Sequence, residues 1–290
     1  MASWTRIGAA ALGGALAGTV ATLVAGTVLW NRASARAVAR LDALALTGRN
    51  VPRPTFSREQ LAGLPGPVAR YFEFALTPGR PLVRRAQIRW RGEFLTRGKW
   101  NPFRARQDYS VRPPGFVWDA AIGMMPLLPV RVRDGYVAGE GIMLGKLAGL
   151  VSLIDQHGTA ELAAGALVRY LGEAVWFPTA LLPNEGVSWK AVDDRTARAS
   201  LTDGPTTVSV DFHFGARGEI VRVSTMRHRD VDGTPVLTPW VGHYRDYVRL
   251  VDMMVPSGGE VEWILPQGRL PYWRGRAVVV NYDVGPDPKD

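Results

Sequence analysis

From Ile7 to Leu29 (IGAAALGGALAGTVATLVAGTVL) the chain runs without a single charge. A helix rises about 1.5 Å per residue, so this run is long enough to cross a hydrocarbon core of about 30 Å. Whatever follows it must then fold as a domain held beside a bilayer. A cleaved secretory signal is the competing reading, with Arg6 before the run and Ala33-Ser34-Ala35 as a small-residue site. Signal cores usually span about 7–15 residues, and Asn31-Arg32 stand before that site, so residues 1–30 read as a retained transmembrane anchor. With no cysteine in the chain there is no lipobox, so a lipoprotein is not expected.

The same run carries small residues at every fourth position: Ala10, Gly14, Gly18, Thr22 and Gly26. Gly14 and Gly18 form a GxxxG pair through which two helices can approach closely, which points to a homo-oligomer within the membrane. A genome rich in Ala and Gly codons explains the stripe equally well. Arg32, Arg36 and Arg40 follow the run on one helical face, where anionic headgroups would attract them. By the positive-inside count they put the rest of the chain on the cytoplasmic face of the cell membrane.

The formal charge of +9 is spread along the chain. Its arginines come in pairs two apart: Arg89/Arg91, Arg104/Arg106, Arg131/Arg133 and Arg274/Arg276. That spacing puts each pair on one face of a strand. The pattern fits a solvated sheet face or attraction to an acidic membrane surface. No nucleic-acid module accompanies it, so a nucleic-acid partner is not expected.

Residues 31–46 continue the first helix, and Gly48, Pro52 and Pro54 punctuate a linker within the segment 31–56. Ser57 and Gln60 form a capping box before a short helix, and Pro67 opens a second one. From Leu82 the apolar period shifts from 3.6 to 2, as in Gln87-Ile88-Arg89-Trp90-Arg91 and Phe116-Val117-Trp118. Asp134-Gly135 reads as a hairpin turn, as do Asp203-Gly204 and Asp232-Gly233. A helical insert is expected near 142–177, with one helix over Ile142–Ile154 and a stronger one over Thr159–Trp176. Strands then resume and run to Tyr282. The chain therefore reads as mainly β (α+β): residues 57–285 form a single antiparallel-β domain, a curved sheet or half-barrel with a helical insert, and 286–290 form a tail.

Catalytic signatures fail. Gly141-Ile142-Met143-Leu144-Gly145-Lys146 has neither the spacing nor the hydroxyl of a phosphate loop, and no GxSxG elbow occurs. His157, His213, His228 and His243 are scattered without metal-ligand spacing, so neither a metal nor a cofactor is expected. Two constellations remain. Arg169 and Glu173 are i, i+4 neighbours that pair on a helix, beside Trp176. Trp90, Trp100, Trp118, Trp189, Trp240 and Trp263, with several methionines, supply large soft side chains that suit a core or an adaptable apolar concavity.

On these residues the chain resembles an uncharacterised bacterial family, a domain of unknown function often preceded by a hydrophobic segment. The matching pieces include Leu64-Pro65, Arg70-Tyr71, Pro114-Gly115-Phe116-Val117-Trp118, Asp134-Gly135-Tyr136, Arg169-Tyr170-Leu171 with Glu173, Trp176 to Pro178, and Thr238-Pro239-Trp240. More distantly, the order of strands, helical insert and strands is similar to LolA/LolB-like half-barrels. That resemblance implies a lipid or lipoprotein carrier of the cell envelope, outside the cytoplasm and against the arginine count. The expectation is a membrane-anchored domain that binds a hydrophobic ligand of lipid class, with Trp118, Trp176 and Trp240 lining the cavity and Arg169, backed by Glu173, meeting the polar end. An enzyme using Glu173 or Asp134 as acid or base on a membrane-derived substrate is the alternative, and a membrane-bound scaffold the third reading.

Overall fold

A computed structural model describes residues 2–45, 54–125 and 128–284, with side chains from residue 18 onward apart from Thr19. Residues 47–53 of the linker expected at 47–55 and the tail 286–290 lie outside the described residues, as do the surroundings of Gly14. Helix α1 (Ala2–Ala45) is followed by a short 3-10 turn and α2 (Gly66–Ala75). Then come β1 (Arg85–Thr96), β2 (Lys99–Ser110), β3 (Gly115–Ile122), β4 (Val130–Val137), β5 (Glu140–Leu147) and β6 (Val151–His157). Helix α3 (Ala160–Glu173) and three 3-10 turns lead to β7 (Val187–Asp193), β8 (Thr196–Asp203), β9 (Thr206–Phe214) and β10 (Ile220–Val231). The chain closes with β11 (Thr234–Leu250), β12 (Met253–Leu265) and β13 (Gly268–Asp283).

All thirteen strands belong to one antiparallel sheet in the order β6-β5-β4-β3-β2-β1-β13-β12-β11-β10-β9-β8-β7. The sheet is not closed: β6 and β7 are its edges. Period-2 alternation builds it, since Ile88 and Trp90, Phe103 and Ala105, and Phe116 and Trp118 all point to one buried face. That face curls around α2 and α3, and its side chains join theirs in one core. Two long-range hydrogen bonds mark the curl. Tyr136 of β4 donates to Asp203 of β8 at 2.8 Å, and Gln156 of β6 donates to Asp230 of β10 at 2.6 Å.

Two readings of the sequence are corrected. Residues 140–157 are a β-hairpin, so the helical insert begins only at Ala160. The hairpin turns at Ala148-Gly149, both at positive φ, and Gly145 lies against the Ile154 side chain. Asp134-Gly135 is not a turn but the middle of β4, and the turn falls at Ala138-Gly139. Gly135 is needed where it stands, because a Cβ there would sit 2.9 Å from the Phe116 carbonyl oxygen. Asp203-Gly204 and Asp232-Gly233 do turn as read.

Helix α1 docks on the outer face of β2, β3 and β4. Trp30 is buried and donates to Asp119 at 2.8 Å, while the Arg133 guanidinium lies 4.4 Å from its ring centroid and donates to Ser34 and to the Trp30 carbonyl. Leu41 packs against Val117 and Val137. Arg32, Arg36 and Arg40 are exposed, and Arg40 reaches Glu140 at the start of β5 at 3.8 Å. Gly18 faces open space, whereas Gly26 touches Leu150 and Ala148 at the β5–β6 turn. Among the described residues no helix is long and apolar enough to cross a membrane; residues 7–17 of the uncharged run lie outside the described side chains.

His213 points away from its neighbours Phe212 and Phe214. The two rings are buried, while its imidazole meets Ser224 at 2.8 Å and Thr196 at 3.2 Å. Burial, and then the neighbouring Arg222, hold its pKa below the ordinary 6.5. A histidine kept neutral in the fold takes up its proton more readily once unfolded, so it costs stability as pH falls through that value. Urea titrations from pH 7 to pH 5 are expected to show that loss, and His213→Gln to flatten it.

Candidate functional site

The concave face brings a charged pair into the aromatic core. Thr159 caps α3, its hydroxyl accepting from the Leu162 amide at 3.2 Å, and Ala163, Ala166, Leu167 and Leu171 bury one side of the helix. Arg169 and Glu173, one turn apart, face β2, β3 and β4. Arg169 Nε donates to Glu173 Oε1 at 2.8 Å and Arg169 Nη1 to Asp134 Oδ2 at 2.6 Å. The guanidinium lies over Phe116 and Trp118, 5.0 and 5.1 Å from their centroids. The second oxygen of Glu173 accepts from Gln107 Nε2 at 2.7 Å and from the Tyr109 hydroxyl at 2.8 Å. Gln107 in turn accepts from Trp90 Nε1 at 2.9 Å.

Burial opposes the charge on Arg169, but Glu173 and Asp134 outweigh it and hold the guanidinium above its ordinary pKa. Burial, and next the Glu173 charge, push the Tyr109 phenol well above its own. The chain thus keeps a cation between two carboxylates within the apolar core, a place where isolated charge is costly. Chemically the cluster is an electrostatic fixture. It holds a guanidinium face against two rings, and both Glu173 oxygens already accept hydrogen bonds.

The sequence-predicted residues come together around α3. Trp118, Arg169 and Glu173 are in the network itself. Trp176, just past the helix, meets Trp90 edge-on at 4.9 Å and donates to the Pro256 carbonyl at 2.8 Å. Trp240 lies on the other flank, where it donates to Tyr272 and approaches the helix at Gly172. Gln107, Tyr109 and Trp273 are part of the same surface and were not singled out in the sequence. A polar Gln in the inward row Phe103-Ala105-Gln107-Tyr109 was the available signal. Arg227, also missed, lies 5.7 Å from the Trp240 ring and 5.8 Å from that of Trp263, and donates to the Gly165 carbonyl of α3.

Among the described residues, the buried donors without a partner include the indole N–H groups of Trp118 and Trp273. They flank Phe103, whose ring centroid is 5.8 Å from each. An unsatisfied buried donor costs about 1–3 kcal/mol, so two on one apolar surface stand out. Among the described residues no three His, Asp or Glu side chains converge as a metal site.

Residues 54–275 match the model of a family of unknown function, DUF6544. No curated protein matches the chain. Among solved structures, a LolA superfamily protein from Nitrosomonas europaea is 10% identical over 77% of this chain and 94% of its own, with a TM-score of 0.37. A DUF1329 family protein from Desulfovibrio piger is 10% identical over 71% of this chain and 88% of its own, with a TM-score of 0.39. At such scores these likenesses carry no functional argument.

Proposed function

The chain belongs to the family of unknown function DUF6544, a membership that assigns no activity, and we propose that it is a membrane-tethered binding protein for a hydrophobic ligand of lipid class. The concave face is the binding surface. The observation that carries this reading is the pair of buried, unpartnered indole N–H groups of Trp118 and Trp273. An ester or amide carbonyl on an otherwise apolar ligand would satisfy them. Half-buried Phe94, Met124, Leu270 and Tyr272 pack on the core toward the same end of the strands and offer an apolar path to that point. Trp176 and Trp240 extend the surface on either side of α3, and Arg169, fixed by Glu173, supplies the cation nearest a polar end. The uncharged sequence 7–29, with Val20, Val24, Val28 and Leu29 exposed on α1, supports the tether.

Native mass spectrometry of the full chain, released from its own membranes in mild detergent, tests the reading. A stoichiometric lipid is expected. Trp118→Phe and Trp273→Phe keep the rings and remove the free donors, so they are expected to leave the ligand-free fold as stable as before. Each should weaken uptake about two- to tenfold, the worth of one hydrogen bond. A domain that comes off the membrane empty and takes up nothing from a lipid mixture would end the proposal.

A further inference from the structure

One row of the outer sheet face is basic from end to end. Strand register sets Lys146 opposite Arg131, Arg131 opposite Ala121, and Ala121 opposite Arg104. It continues with Arg104 opposite Arg91, Arg91 opposite Arg276, Arg276 opposite Gly258, and Gly258 opposite Arg245. Directly opposed residues share a face, so six cations and no carboxylate line a belt across eight strands, about 34 Å at the usual strand spacing. Among the described residues only Arg276 of this row is held in an ion pair, with Asp246. Like charges set opposite each other in a sheet repel, and among the described residues Asp246 relieves that at Arg276 alone along this row. Near its middle the belt opens into a cavity of 580 Å³ lined by Arg91, Arg245, Arg274 and Arg276. Glu93, the one acid there, is already paired with Arg274. Gly258 contributes no side chain, and the Arg245 side chain lies across it.

We infer that this belt is a binding surface for anionic phospholipid headgroups. The membrane is favoured over a soluble polyanion by position. Helix α1 docks on the same outer face, with Trp30 on Asp119 and Arg133 one row below the belt and Gly26 at the β5–β6 turn beyond it. The uncharged run of α1 ends at Leu29, so its polar boundary lies level with the basic row. The belt is a second membrane contact, independent of the ligand proposed for the concave face.

Co-sedimentation of the full chain with phosphatidylcholine vesicles, with and without phosphatidylglycerol, tests it. Each basic residue near an anionic surface is worth about fivefold in partition, so the wild type should prefer the anionic vesicles by at least a hundredfold. The triple variant Arg91→Gln/Arg104→Gln/Arg245→Gln, all exposed positions, should lose about a hundredfold of that preference and keep its partition into neutral vesicles. An equal loss in the charge-matched control Arg58→Gln/Lys190→Gln/Arg249→Gln would assign the effect to net charge and overturn the belt. Competition by inorganic pyrophosphate, or tighter binding to a short DNA duplex than to vesicles, would overturn the membrane assignment. No partition into neutral vesicles would count against the α1 tether alone, because the anionic preference is read separately.

Discussion

Replacing Arg169 with methionine is expected to destabilise the fold by about 3–5 kcal/mol, the usual result of removing one member of a buried ion pair. Asp134 and Glu173 would be left facing each other across an apolar pocket, with Glu173 keeping only its bonds from Gln107 and Tyr109. The cost is expected to depend on pH. Without the guanidinium, two like charges face each other in an apolar site, and neutralising either one relieves the repulsion. Their penalty then shrinks as pH falls toward the ordinary carboxylate range near 4. In the wild type the sign is opposite. Arg169 is held above its ordinary value, so its contribution is complete at every pH below the arginine range. Urea denaturation of Arg169→Met at pH 7 and pH 4.5 measures the difference. The triple variant Arg169→Met/Glu173→Gln/Asp134→Asn should recover most of the stability, since no charge is then left buried. A deficit of about 1 kcal/mol or less for the single variant, equal at both pH values, would mean that the cluster is solvated and the charges count for little.

If the triple variant is stable and no longer takes up lipid, the charged cluster serves the ligand rather than the fold. Buried ion pairs are poor sources of stability compared with apolar packing of the same volume. A chain that keeps one amid Phe116, Trp118 and Tyr109 therefore needs a reason beyond folding, and the two free indole donors nearby offer the same argument from hydrogen bonding.

How much of this was legible in the chain depends on the range of the interaction. The i, i+4 pairing of Arg169 with Glu173 could be read because both residues lie on one helix, and the outward face of Arg89/Arg91 because both lie on one strand. The Asp134 partner of Arg169 could not, since it lies 35 positions away on β4. Asp134-Gly135 even misled, because its local chemistry is that of a turn. The glycine is instead required by the close approach of Phe116 on the neighbouring strand. Residues 142–154 misled for a related reason: Met, Leu, Lys and Ala favour helix, and only the pairing of β5 with β4 and β6 makes them a hairpin. The basic belt is the clearest case. Each arginine is visible in its own strand, but the row exists only once eight strands are in register.

Truncating Trp30 to alanine is expected to release α1 from the sheet while leaving the sheet and its helical insert folded. Burying a Trp is worth about 3–5 kcal/mol against Ala, and Trp30 also donates to Asp119 and carries the Arg133 guanidinium on its ring. Other contacts also join helix and sheet, among them Leu41 on Val117 and Val137, the Asp42–Arg85 ion pair and Gly26 at the β5–β6 turn, but none buries a side chain as large as Trp30. Hydrogen exchange should therefore rise sharply over residues 26–45, with no change in β8 to β12, whose core does not involve α1. Trp30→Phe, which keeps a ring for Arg133 but loses the bond to Asp119, should fall between. The functional consequence follows from geometry. Helix α1 fixes the sheet relative to whatever holds its N-terminal half, so a released helix would still partition into neutral vesicles but no longer set the basic row level with the surface. Loss of the anionic preference in Trp30→Ala, with all six cations intact, is the expected result. An unchanged preference would show that the belt finds the membrane by itself and that the docked helix is a structural strut.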